Sequence, residues 1–285
     1  MKNKDLEKVG FGIAIMFLIS WLWAYFIRGH LGLPAIVNTI IGIVVLYGVG
    51  LAFFRIITKN IEKSEVKRGK LSLKMMILSL LLQFSAIFIL TILTIVFARI
   101  TGTELGGSID ALTPIMLFQL LFFNPIVEEY VFRKVFADKL LKYGELFFML
   151  VSSFCFAIVH GVSIGIPQII YTFILGMIWS YLYVRTGNIW LSILMHSLSN
   201  LFGSVITQSL QTISQPLMVV YSMSMMLLGI VGIILFLVNK KHISVDGDSK
   251  IISAGVIKTM FTNIGILFYF FITLLMIVLR CAHVI

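Results

Sequence analysis

The sequence NPIVEEYVFRK, residues 124–134, places two adjacent glutamates and an arginine inside an apolar part of the chain. The chain has 285 residues, of which 60% are hydrophobic and only 12% are charged. It contains 12 Asp and Glu residues, and all except Glu128 and Glu129 fall in termini, loops or turns beside apolar segments. An ionised side chain at mid-bilayer costs about 2.5–3.5 kcal/mol, so an acidic pair there indicates a functional site.

Apolar runs of membrane-spanning length surround this pair. About 20 apolar residues in a helix match the thickness of the hydrocarbon core of a bilayer. The pattern predicts an all-α, polytopic transmembrane helix bundle of about eight or nine transmembrane helices, forming a single integral membrane domain over residues 1–285. The predicted spans lie near 9–27, 35–57, 75–98, 115–132, 146–165, 167–184, 189–205, 217–238 and 259–279.

The prolines agree with this division. Four of them, at positions 34, 114, 167 and 216, stand at the start of a predicted span, where a missing backbone N–H costs little. Pro125 is the exception, because it lies inside a span and three residues before Glu128. It predicts a kink or a backbone carbonyl without its helical partner beside the glutamates.

The net charge of +10 records membrane topology rather than nucleic-acid binding. If the N-terminus is cytoplasmic and nine helices follow, only Arg28, Arg99 and Arg280 of the 22 Lys and Arg residues fall on the outer side. This is the positive-inside pattern. The first helix is predicted to be retained, since no convincing cleavage site follows it. We therefore expect an integral membrane protein with a cytoplasmic N-terminus, and its lysine- and isoleucine-rich composition favours a bacterial cell membrane.

Simple helical geometry relates the charged pair to other polar residues. Glu129 lies four residues before Arg133, which predicts an ion pair on one helix face. Glu128 is rotated about 100° from it and needs another partner. Glu128 and His160 each lie 16 residues from Gly144, the predicted turn between two helices. Antiparallel packing places both about 24 Å from the turn, at the same depth.

A third apolar segment carries His196 and Asn200, whose spacing of four places them on one helix face. The plain interpretation of a single membrane histidine is a packing residue. Two histidines, two glutamates and an asparagine on three helices instead predict one polar cavity. A carboxylate beside an imidazole can take a proton from water, while a second imidazole and an amide can donate to an oxyanion.

Zinc is the alternative use of these atoms. If a metal is bound, its predicted ligands are Glu128, His160 and His196, since carboxylate oxygen and imidazole nitrogen suit zinc. The chain has no H-E-x-x-H sequence, the usual spacing of a zinc protease. We therefore expect no cofactor and no metal, and we keep zinc as the alternative.

At these residues the sequence resembles the CPBP intramembrane proteases, which include CAAX prenyl endopeptidases and the bacteriocin-processing or self-immunity proteins of the Abi group. The family motifs E-E-x-x-x-R, F-x-x-x-H and H-x-x-x-N correspond to EEYVFR at 128–133, FAIVH at 156–160 and HSLSN at 196–200. Three motifs in this order on three apolar segments are far more specific than any one of them. The resemblance implies a catalytic helix core over residues 114–205.

The resemblance also implies a role for each site residue. Glu128 would activate water with the help of His160, and the oxyanion would be stabilised by His196 and Asn200. The ion pair at 129 and 133 would support the geometry of the site. The family was long described as metalloproteases, so both glutamic and metallo-endopeptidase mechanisms stay open.

The function predicted from these residues is an intramembrane endopeptidase. Its substrate would be a membrane-associated peptide or protein: a peptide precursor, a signalling peptide or a CAAX-like C-terminus. The expected surroundings are the lipid bilayer, with no nucleic acid. Two other functions use the same residues, namely a non-proteolytic peptide-binding or bacteriocin self-immunity protein, and a proton-coupled transporter. The transporter is disfavoured because the sequence has no inverted repeat of broken helices.

Overall fold

The computed structural model describes residues 3–102, 112–245 and 255–282. Every regular element within these ranges is helical, which confirms the all-α class. The ten helices of the described residues are α1 (Lys4–His30), α2 (Ala35–Thr58), α3 (Leu73–Thr101), α4 (Pro114–Tyr143), α5 (Glu145–Val162), α6 (Ile166–Thr186), α7 (Ile189–Ile213), α8 (Gln215–His242), α9 (Gly255–Thr262) and α10 (Ile264–Cys281).

Nine helices of the described part of the chain are long and apolar enough to cross a membrane, which confirms the prediction from hydropathy. The largest differences from the predicted bounds are in α4, α7 and the last span. Helix α7 continues to Ile213 rather than ending near residue 205. Helix α4 continues beyond residue 132 to Tyr143, because its polar end remains helical. The last predicted span is divided at Asn263, whose side chain accepts from the N–H groups of Gly265 and Ile266 and starts α10.

Helix ends follow the local sequence. Prolines 114, 167 and 216 stand in the first turn of α4, α6 and α8, as predicted, and Pro34 immediately precedes α2. Gly144 separates α4 from α5 with a φ of 109°, a backbone conformation that glycine adopts without a steric penalty. The predicted turn between the helices of the first two motifs is thereby confirmed.

Helix α4 contains π-helical turns on both sides of the acidic pair. They span Gln119–Phe123 and Tyr130–Val135, and the α-helical segment Asn124–Glu129 lies between them. Another π-helical turn, Leu201–Val205, follows directly after Asn200 in α7. Turns of this kind occur often at functional sites.

The chain forms two compact units. This division does not test the prediction of one integral membrane domain, which stays a prediction. Unit 1 comprises Met1–Glu65, Phe136–Phe147 and Gly247–Ile285. Within it, α1 and α10 come into backbone contact where Gly10 faces Gly265, since neither has a side chain to separate the helices. Asp5 accepts a hydrogen bond from the Tyr143 hydroxyl at 2.8 Å, which attaches the end of α4 to the start of α1.

Unit 2 comprises Val66–Val135 and Phe148–Asp246, and it holds all the candidate site residues. Helices α3 and α8 pack closely at Gly229 and Gly232, and the Ser85 hydroxyl donates to the Gly229 carbonyl at 2.7 Å. Gly176 of α6 lies directly against Ser153 of α5. Small residues at these crossings bring the helices close enough for their side chains to meet.

Candidate active site

The first component of the site is a buried ion pair within α4. Arg133 Nε lies 3.0 Å from Glu129 Oε2, and both side chains are fully buried. The contact lacks hydrogen-bond alignment, so it is electrostatic in character. The guanidinium also lies over the ring of Phe156, 4.9 Å from its centroid, and donates to the Ser152 hydroxyl at 3.4 Å. Aromatic and hydroxyl neighbours thus compensate a cation that water does not reach.

His196 is fixed by the other oxygen of the same glutamate. Its Nδ1 lies 3.1 Å from Glu129 Oε1, and the imidazole stacks on the indole of Trp179 with a centroid distance of 4.1 Å and an interplanar angle of 16°. A carboxylate accepts hydrogen bonds, so Nδ1 carries the hydrogen and, in the neutral ring, Nε2 is the acceptor.

His160 is oriented in the same way by its own helix. Its Nδ1 lies 2.7 Å from the carbonyl oxygen of Phe156 one turn earlier, which assigns the hydrogen to Nδ1. The imidazole also packs against the Phe156 ring, at a centroid distance of 4.4 Å. The Nε2 atom is therefore the acceptor in the neutral imidazole.

These two Nε2 atoms face the same carboxylate oxygen. Glu128 Oε2 lies 3.9 Å from His160 Nε2 and 3.8 Å from His196 Nε2. Both distances are too long for a direct hydrogen bond. A water molecule about 2.8 Å from each atom would bridge either pair. The Glu128 side chain is 17% exposed, whereas Glu129 is fully buried, so the two adjacent carboxylates differ in their access to water.

Asn200 contacts the backbone of α4. Its Nδ2 donates to the carbonyl oxygen of Leu120 at 2.8 Å. Leu120 lies in the π-helical turn that precedes the acidic pair. The hydrogen bond therefore joins the third motif to the helix that carries the first.

Sequence comparisons match the part of the chain that carries these residues. Residues 110–202 match the profile of the family described as type II CAAX prenyl endopeptidase, Rce1-like. The predicted family resemblance is confirmed over this segment. In this Rce1-like segment lie both glutamates, Arg133, both histidines and Asn200.

A relative in Bacillus subtilis (strain 168) carries the name "Putative membrane peptidase YdiL". It is 33% identical to this chain over 90 residues, which are 31% of this chain and 36% of the relative. The chain thus spans about a third of the length of this curated relative. No solved structure matches the chain significantly.

Donor atoms suited to zinc are present in the Rce1-like segment, namely two imidazole nitrogens and a carboxylate oxygen. In the described ranges, however, no group of three His, Cys, Asp or Glu side chains is arranged to hold a metal ion. The proposed reaction therefore uses only the side chains of this chain.

Sequence reasoning missed Trp179, which contacts His196, and Gln83, which contacts Trp179. Trp179 stacks on His196, and its indole N–H donates to Gln83 Oε1 at 3.3 Å. Gln83 lies on α3, outside the Rce1-like segment, and its amide also donates to the sulfur of Met195 at 3.3 Å. The available signal was Gln83 itself, the one amide side chain in α3.

Proposed function

We propose that this chain is an intramembrane endopeptidase that hydrolyses a peptide bond with a water molecule activated by Glu128. The observation that carries the proposal is the convergence of two imidazole Nε2 atoms, at 3.8 and 3.9 Å, on one oxygen of the more accessible glutamate. A water molecule between Glu128 Oε2 and His160 Nε2 would donate one hydrogen bond to each of these atoms.

In the proposed reaction Glu128 takes a proton from this water. The oxygen of the water then attacks the carbonyl carbon of the substrate. The remaining O–H of the water donates a hydrogen bond to His160 Nε2, and this directs an oxygen lone pair towards the substrate. The C–N bond then breaks as the protonated Glu128 returns its proton to the departing nitrogen.

The oxyanion formed by this attack needs hydrogen-bond donors, and the proposal assigns Asn200 and His196 to it. The second N–H of the Asn200 amide is one donor. His196 donates from Nε2 when both of its nitrogens carry hydrogen, with Nδ1 still bonded to Glu129.

The proposed substrate is a membrane-associated peptide or protein cleaved in a bacterial cell membrane, and the N-terminus is proposed to be cytoplasmic. Support comes from the nine candidate membrane helices among the described residues and from the name of the Bacillus subtilis relative, which describes a membrane peptidase. A peptide precursor, a signalling peptide and a CAAX-like C-terminus are the three substrate classes to compare.

The test is cleavage of a library of membrane peptides from these classes by the purified protein, with Glu128→Gln as the key variant. The amide keeps the size of the carboxylate but cannot take a proton, so kcat should fall by about 10²–10⁴-fold. The matched control is the same substitution at Glu62, an exposed residue, which should cleave like the wild-type protein.

A strong zinc chelator adds a second arm. Cleavage that survives the chelator and disappears in Glu128→Gln supports the glutamate mechanism. Loss with the chelator and recovery with zinc would assign Glu128, His160 and His196 to a metal instead. Wild-type cleavage by Glu128→Gln would overturn the role of Glu128, and the absence of any cleavage by the wild-type protein would favour a binding or self-immunity protein.

A further inference from the structure

The amide of Asn200 is held by a backbone carbonyl that lacks its usual helical partner. Asn200 Nδ2 donates to the Leu120 carbonyl oxygen at 2.8 Å, although the two residues are 80 positions apart in the sequence. A carbonyl inside a helix normally accepts from a backbone N–H of the same helix and has little need for a side-chain donor. The Leu120 carbonyl is therefore unusual.

The local register explains why this carbonyl is available. In the π-helical turn Gln119–Phe123, the N–H of Asn124 donates to the Gln119 carbonyl, five residues earlier. The next N–H in this register would belong to residue 125 and would donate to the Leu120 carbonyl. Residue 125 is a proline, which has no N–H. In this register the Leu120 carbonyl therefore has no backbone N–H to accept from.

The consequence concerns the orientation of Asn200. A backbone carbonyl without a partner inside a membrane protein is costly, so the Leu120 oxygen attracts the amide strongly. A primary amide has two N–H groups in a fixed plane, and bonding one of them fixes the direction of the other.

We propose that Pro125 is a positioning residue. By removing the backbone donor to Leu120, it turns the Leu120 carbonyl into an anchor for one N–H of Asn200, and the other N–H is thereby aimed at the oxyanion. This inference rests on the proposed function, because the second N–H matters only if an oxyanion forms.

The kinetic test replaces the proline with alanine. Pro125→Ala supplies an N–H that competes for the Leu120 carbonyl, so the Asn200 amide loses its anchor. We expect kcat to fall about tenfold with little change in KM. This is less than the 10²–10³-fold expected for losing an oxyanion donor altogether. In an Asn200→Ala background the same change should have no further effect on kcat. The matched control is Pro216→Ala, at the first turn of α8, where an added N–H has no carbonyl partner within the helix.

A second measurement is independent of activity. Asn200→Ala should lower the Tm of the purified protein by about 2–4 °C, the shift expected when one hydrogen bond is lost from a chain of this size. In a Pro125→Ala background the added N–H satisfies the Leu120 carbonyl, so this loss should be at least halved. In a Pro216→Ala background it should persist in full.

The two proposals fail in different ways. If the wild-type protein cleaves peptides through Glu128 and Pro125→Ala keeps the wild-type kcat, the positioning role is wrong and the proposed function stands. Equal Tm losses from Asn200→Ala in the wild-type and Pro125→Ala backgrounds would also overturn the anchor. If the wild-type protein cleaves no peptide, the proposed function fails, and so does the role of the second Asn200 N–H at an oxyanion. The Tm measurements alone then test whether Pro125 makes the Leu120 carbonyl available to Asn200.

Discussion

Arg133 combines a structural contact with an effect on the candidate chemistry. It neutralises Glu129, and Glu129 in turn fixes the Nδ1 atom of His196. The spacing of four in the sequence predicts the ion pair, and the structure contains it. The contact with His196 was not predictable, because it depends on how α7 packs against α4 rather than on any spacing within one helix.

The ion pair between Glu129 and Arg133 gives the first prediction. Arg133→Met leaves a carboxylate buried without its cation, so we expect a loss of about 3–5 kcal/mol in the free energy of unfolding, measured by unfolding in detergent. The double variant Glu129→Gln/Arg133→Met removes both charges and should recover most of this stability. Its cleavage rate should stay low, because His196 loses the carboxylate that orients it.

The comparison separates two roles of the pair. If the double variant regains activity along with stability, the pair only holds the fold together. If the double variant is as unstable as Arg133→Met, the buried charge of Glu129 is not what destabilises the single variant.

Among whole elements, the membrane helices were predictable and their irregular turns were not. A run of about 20 apolar residues predicts a span whatever its detailed helical form. The π-helical turns of α4 insert one residue per turn, and in an apolar run this shift leaves no trace in the hydropathy. Pro125 was the one local sequence signal of an irregular backbone in α4. It predicted a carbonyl that needs another partner, and the Leu120 carbonyl accepts from the Asn200 side chain.

Helix α3 gives the second prediction, since it lies outside the Rce1-like segment. Gln83 accepts from the indole of Trp179, and this indole stacks on His196. Gln83→Leu keeps a similar volume but leaves the buried indole N–H without an acceptor, which costs about 1–3 kcal/mol. We expect a lower Tm and a kcat reduced several-fold, with Glu128-dependent cleavage still detectable.

A suitable control is Thr94→Val, at an exposed position of the same helix. It should leave both Tm and kcat unchanged. If Gln83→Leu lowers Tm while kcat stays at the wild-type value, then α3 contributes packing alone and does not position His196 through Trp179.

For the molecule as a whole, the sequence predicts the depth of the site better than its contacts. Equal distances from Gly144 predict that Glu128 and His160 share a depth, and their side chains lie 3.9 Å apart. Depth along a helix follows from residue count alone. The aromatic packing around the site, such as Trp179 against His196, depends on rotation about each helix axis, which residue count does not give.

The arrangement of the chain across the membrane gives the last prediction. With a cytoplasmic N-terminus, the nine candidate spans of the described ranges place residue 281 on the outer side and residue 63 on the cytoplasmic side. The native cysteines suit a test, because Cys281 is exposed and Cys155 is buried. A membrane-impermeant maleimide should therefore label the wild-type protein in intact cells, and Cys281→Ser should abolish this label.

Lys63→Cys in the Cys281→Ser background supplies the opposite case, since residue 63 is exposed and follows α2. It should react only after the membrane is permeabilised. Both outcomes follow from the charge distribution, because almost all Lys and Arg residues lie on the side predicted to be cytoplasmic. Reversal of both patterns would invert the topology, and labelling of both sites from one side would mean that the chain crosses the membrane an even number of times between residues 63 and 281.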